Sequence, residues 1–161
     1  MRPETIHIER TYPISIADLW RALTTKENMK EWFFEIPDFT MEIGGEFQFF
    51  RHQKQQNLLH KCQVIDVVPK QLFKFAWRHP RQTGESSIVT WRLIPRGGAT
   101  TLHLTHEGLE NFKGAGEQYS QESFENGWNY LLGETLSKFL DKQKVSSWAD
   151  SSSLPVPMNN L

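Results

Sequence analysis

Proton transfer and metal chemistry usually start from histidine, cysteine and carboxylate side chains, and this 161-residue sequence carries six histidines and one cysteine. His103 and His106 lie three apart on a run predicted to be a strand, so they point to opposite faces of a sheet and cannot share a metal. His60 and Cys62 do share a face, but two ligands make an incomplete site, and a buried thiol beside a hydrogen-bonded histidine is the ordinary result of that spacing. Asp66 continues the face of His60, Cys62 and Val64, where a carboxylate would either border an interior space or cap a bulge. His106, beside Glu107 at a strand end, is the polar residue best placed to touch a ligand or carry a proton.

Other chemistries lack their motifs. Gly114-Ala115-Gly116 has neither the later glycine nor the lysine of a phosphate loop, and no serine sits in a glycine-flanked elbow. A single cysteine closes no internal disulfide and builds no thiolate zinc site, which fits a reducing compartment. With 18 Lys plus Arg against 19 Asp plus Glu, the net charge of −1 offers no strong field for nucleic acid or an anionic membrane. No stretch reaches the ~18 apolar residues of a membrane span, and the charged first ten residues do not resemble a secretory signal. The expectation is a cytoplasmic chain with no cofactor, no metal and no assigned catalytic residue.

The elements that position these side chains follow from periodicity. Residues 4–12 alternate as a half-buried strand ended by Pro13; Ser15 then caps a short helix through Leu23, and Thr25 a second one toward Trp32 and Phe33. From Phe39 to Glu107 the texture becomes an antiparallel meander. Phe39, Met41 and Ile43 form one strand face, Gly44-Gly45 a tight turn, and Phe47 and Phe49 the returning strand. His52 to Asn57 reads as a longer connection, 58–68 and 72–77 as neighbouring strands, and 87–94 and 100–107 as a hairpin around Gly97-Gly98. A helix from about Ser120 to Lys142 follows, with Phe124, Trp128, Leu131, Thr135, Leu136 and Phe139 on one stripe. The fold class is α+β: a curved antiparallel sheet of about seven strands wrapped around a long C-terminal helix, with two short helices after the first strand. Residues 1–144 form the domain, and 145–161, rich in Ser and Pro, read as a flexible tail.

A bent sheet gripping one helix leaves room between the layers, and the parity of the strands says what lines it. From the sheet come Phe47 and Phe49, Phe75 and Trp77, Val89 and Trp91, and Leu104 with His106; from the helix come Phe124, Trp128 and Leu131. Such stripes are ordinarily packing, so what distinguishes this set is its aromatic weight, drawn from 11 Phe, 6 Trp and 3 Tyr.

Several segments in order resemble the START-like, or SRPBCC, superfamily, and within it the family similar to the C-terminal domain of the activator of Hsp90 ATPase. They are Ala17 to Leu23 with Trp32; Asp38-Phe39 and Ile43 to Phe47; Val64 to Pro69; Leu72 to Trp77; Ser87 to Trp91; Gly97 to Gly108; and Asn126-Gly127-Trp128. The resemblance implies a helix-grip fold, a cavity for apolar molecules and no shared catalytic residue. The functional expectation is binding of a small hydrophobic, lipid-like or aromatic ligand between sheet and helix. The alternatives are an Hsp90-type chaperone ATPase regulator and a polyketide cyclase-like enzyme using His106 or Asp66; binding is favoured over catalysis. Homodimerisation and a chaperone contact are the protein interactions left open.

Overall fold

The computed structural model describes residues 5–53, 56–78, 85–112 and 120–143. The expected tail, 145–161, lies outside the described residues. The elements are β1 (Thr5–Tyr12), α1 (Ile16–Thr24), α2 (Lys26–Trp32), β2 (Glu46–Gln53), β3 (Gln56–Val68), β4 (Leu72–Arg78), β5 (Ser87–Arg96), β6 (Ala99–Glu107), a 3-10 turn (Leu109–Phe112) and α3 (Gln121–Tyr130). The last runs on through a π-helical turn (Leu131–Thr135) into a further helical stretch, 136–143. The strands form one antiparallel sheet in the order β1-β6-β5-β4-β3-β2, so β1 closes the meander from its far end.

Six strands are described, against about seven expected. Residues 39–43 are not a strand: Gly45 N–H closes a turn on the Glu42 carbonyl, Gly44 N–H donates to the Val64 carbonyl of β3, and Val64 N–H donates to the Gly45 carbonyl. The glycines terminate the sheet edge there, and Ile43 faces solvent. The longer connection expected at 52–57 is also corrected, because β2 and β3 stay paired as far as Gln53 with Gln56.

Local capping follows the sequence. Ser15 Oγ accepts the Asp18 N–H at 3.1 Å at the start of α1, and Ser120 Oγ accepts the Ser123 N–H at 3.1 Å at the start of α3. Thr25 stands at the N-cap of α2 without a side-chain bond. Trp32, buried at the end of α2, donates its indole N–H to the Ala22 carbonyl at 2.7 Å and locks the two short helices together.

The terminal helix differs from an ideal one in an informative way. Five of its six buried residues, Phe124, Trp128, Leu132, Leu136 and Leu140, are spaced by four, and Phe139 is buried beside the last. Around an ideal helix of ~3.6 residues per turn, four such steps would drift by about 160°. The wider π turn takes up part of that drift and keeps the stripe facing the sheet. As a result Leu132 is buried, whereas Leu131, expected on the stripe, is half-buried and packs at its margin. Tyr12 Oη donates to the Leu132 carbonyl at 2.7 Å. The Thr135 hydroxyl lies 2.7 Å from the Trp32 carbonyl and 2.9 Å from that of Leu131, its one proton shared between them. The π turn is thereby tied to both β1 and α2. A Cβ on Gly133 would come within 3.1 Å of the Arg10 guanidinium, so the missing side chain lets Arg10 lie across the turn.

Between β3 and β4, Val68-Pro69-Lys70-Gln71 closes with Gln71 N–H on the Val68 carbonyl at 2.9 Å, and Lys70 adopts φ +67°. A type II turn demands positive φ at that position, where glycine is the unstrained choice. Lys70→Gly should remove a left-handed cost of about 1–2 kcal/mol while adding ~0.4–1 kcal/mol of unfolded-chain freedom. The urea midpoint is therefore expected to rise; a lower midpoint would show that the turn carries no strain.

Candidate functional site

The inward face of the sheet is built in rows that follow from strand pairing. Ile6, His106, Val89, Phe75 and Val64 are successive cross-strand partners, as are Ser87, Trp77, Cys62 and Phe47. All nine are buried. α3 lays Phe124 and Trp128 over these rows: the Trp128 ring sits 5.5 Å from Trp77, and Phe124 sits 5.0 Å from His106. Of the residues expected to line the interior, all but Leu131 are buried. They form one aromatic assembly, with ring pairs such as Phe49 and Trp77 at 5.3 Å and Phe75 and Trp91 at 5.6 Å meeting edge to face.

Polar groups run through this assembly as a directed string. Trp128 donates its indole N–H to His106 Nδ1 at 3.0 Å, and His106 Nε2 lies 2.9 Å from Ser87 Oγ, which donates to the Trp77 carbonyl at 2.7 Å. The Trp77 indole donates in turn to His60 Nδ1 at 2.6 Å. An indole N–H can only donate, so each imidazole must present a bare Nδ1 and carry its proton on Nε2. His106 Nε2 is then the donor to Ser87. Parity foresees His106 and His60 in this interior. Ser87, two residues before Val89, carried the same signal, although its role as the link appears only when the strands are paired.

The remaining polar candidates separate. His103 lies on the outer face, stacked on His7 at 6.1 Å, opposite to His106. Asp66 takes the second of its two expected places: the register shifts between Val64 and Asp66, a bulge that reverses the alternation. Val67 turns toward the core, and Asp66 Oδ1 accepts the Val67 N–H at 2.9 Å, so the carboxylate serves the bulge and does not continue the His60 face. Among the described residues no three His, Cys, Asp or Glu side chains gather as a metal site. No described helix is long and apolar enough to cross a membrane. Trp32, Phe33, Leu109 and Phe112 complete the enclosure. The 3-10 turn that carries the last two stands in a stretch whose glycines and polar residues read as plain loop.

Comparison with known proteins places this geometry. The family model described as Activator of Hsp90 ATPase homolog 1-like protein matches residues 13–141. No curated protein sequence matches the chain. Among solved structures, the chain is similar to protein MLL2253 from Mesorhizobium loti, with 25% identity, a TM-score of 0.71, and coverage of 86% of this chain and 97% of that one. It is similar to CalU16 from Micromonospora echinospora, with 22% identity, a TM-score of 0.65, and coverage of 86% and 74%. It is also similar to an HSP90 activator from Plasmodium falciparum, with 19% identity, a TM-score of 0.68, and coverage of 86% and 96%. The last two likenesses are of fold.

Burial pushes the Cys62 thiol well above its ordinary value of 9.0, and desolvation raises the Tyr12 phenol above 10.0 despite the lowering influence of Arg10. In both cases the folded protein holds a proton that the unfolded chain releases. The associated stability is complete below pH ~9 and falls as pH rises from there toward the folded-state values, by up to about 1.4 kcal/mol per pH unit for each group. Denaturant midpoints measured from pH 7 to 10.5 should decline, and Cys62→Ala should delay the onset toward pH 10. A flat profile would contradict the burial of both groups. Ser87→Ala, which cuts the string between His106 and Trp77, should cost about 1–3 kcal/mol in the same assay at pH 7.

Proposed function

The chain belongs to the family of Activator of Hsp90 ATPase homolog 1-like proteins, and from that premise we propose that it binds a small, neutral, hydrophobic or aromatic molecule between the concave face of the sheet and α3. The observation that carries this reading is the buried polar string from Trp128 through His106, Ser87 and Trp77 to His60. An interior built for stability alone is best filled with aliphatic side chains, because a buried polar network gains at most a modest net energy over its desolvation. Setting five polar-bearing residues inside an aromatic enclosure makes sense where their rings are held rigidly for a guest. Affinity would come from removing apolar surface from water at roughly 25 cal/mol per Å².

Thermal-shift screening of the full chain against planar aromatic and lipid-like compounds, with native mass spectrometry of the hits, tests the proposal. A raised melting temperature and a one-to-one adduct are expected, along with a change in tryptophan fluorescence. If no compound does either, interior binding is refuted.

A second reading, regulation of an Hsp90-type chaperone ATPase, is favoured by the family description and by the likeness to the Plasmodium falciparum activator. Its test is the turnover of the cognate chaperone: an unchanged ATPase rate at saturating protein removes it. A cyclase-like activity has less support. Hydrogen bonds engage both ring nitrogens of His106, and Asp66 serves the bulge. We place the protein in the cytoplasm on the strength of its composition.

A further inference from the structure

Trp91 stands outside the hydrogen-bond string. It is fully buried in the middle of β5, paired with Leu104 on one side and Phe73 on the other. Its indole Nε1–H meets no acceptor among the described residues. The surroundings explain why: the nearest rings are Phe73 and Phe75, each at 5.6 Å, Phe33 at 5.8 Å, Trp32 at 6.0 Å and Trp128 at 6.3 Å. The phenylalanines offer no lone pair. The two tryptophans are themselves donors, already committed to the Ala22 carbonyl and to His106. A buried donor without an acceptor is unfavourable, and folded proteins leave few of them.

Resting on the interior-binding reading above, we propose that the Trp91 indole N–H is the group that orients the bound molecule, and that the molecule is a neutral aromatic compound bearing a carbonyl-type acceptor at its edge. An acceptor is required because an indole can only donate. Neutrality follows because no lysine, arginine or carboxylate is among the buried described residues, so a charged guest would be stranded without a counter-ion. Aromaticity follows from the five rings around Trp91, which offer faces and edges to a planar partner.

The test uses the full 15N-labelled chain and two probes of nearly the same shape, 2-acetylnaphthalene and 2-ethylnaphthalene, which differ by one carbonyl. The ketone should bind about fivefold more tightly than the hydrocarbon. It should also move the Trp91 indole N–H resonance downfield, whereas the hydrocarbon should not. Trp91→Phe, which keeps a ring and removes the donor, should bring the two affinities within about twofold. If that variant fails to fold, the wild-type titration decides alone, with the resonance assigned through its contacts to Phe73 and Phe75. Equal binding of both probes with an unmoved Trp91 signal overturns the orienting role and leaves interior binding intact. So does a signal already far upfield without ligand and unchanged by the ketone, as an N–H seated on a neighbouring ring face would give. If neither probe binds and the wider screen is also empty, the interior-binding reading fails and takes this inference with it.

Discussion

A helix that must keep one row of side chains against a twisted sheet from Phe124 to Leu140 cannot remain ideal, and the rest of this structure depends on how that constraint is met. The buried row Phe124, Trp128, Leu132, Leu136 and Leu140 recurs every fourth residue, a spacing that would spiral away from the sheet at ~3.6 residues per turn. The π turn at Leu131–Thr135 restores the facing. Its cost lies in backbone carbonyls whose regular partners are displaced, and Tyr12 and Thr135 bring hydroxyls to two of them. Because Tyr12 ends β1 and Thr135 also touches the Trp32 carbonyl, the irregularity ties together the first strand, the short helices and the last helix. Phe124 and Trp128 lie just before the turn, so their position over the sheet is set by the same device.

Once Trp128 is held over β6, the direction of the interior hydrogen bonds is fixed. An indole donor at Nδ1 leaves His106 only Nε2 to carry its proton, and this sends the hydroxyl of Ser87 to the Trp77 carbonyl. The string crosses from α3 through β6 and β5 to β4, and the Trp77 indole extends it to β3 at His60. It links by directional bonds the layers that apolar packing holds without direction. Polar networks of this type contribute more to a unique arrangement than to net stability, and a fixed arrangement of rings is what selective recognition of a planar guest requires.

The strands were legible because alternation over β4, β5 and β6 is regular: Phe73, Phe75 and Trp77, then Val89, Trp91 and Leu93, then Leu102, Leu104 and His106 all point inward as parity demands. Legibility failed where a local irregularity changed the count. At Asp66 a bulge reverses the faces, and the pattern left it open beside an inward carboxylate, since Val-Ile-Asp-Val-Val alternates as well in either register. At Leu131 and Leu132 two adjacent leucines leave helical phase undecided, and the π turn chooses the second. Residues 39–43 show a strand's alternation without a strand's pairing: Ile43 is exposed and the backbone bonds to β3 begin at Gly44 and Gly45, because a strand needs a neighbour as well as a pattern. The family-like order of segments carried the fold through all three irregularities, while the pairing of His106 with Ser87 needed the register of two strands 19 residues apart.

The aromatic interior also bears on why few of its polar atoms can be spared. Domains of this size are stable by about 5–15 kcal/mol in total, and a single buried donor without an acceptor removes ~1–3 kcal/mol of that. Trp32, Trp77 and Trp128 each place the indole N–H on a carbonyl or an imidazole. The arrangement evidently has acceptors available where a ring is needed only for packing. Trp91 sits among the same rings and takes none of them, although a phenylalanine at that position would fill nearly the same space with no donor to satisfy. Under the orienting role proposed for Trp91, this donor at the centre of the sheet is matched by an acceptor that arrives from outside the chain.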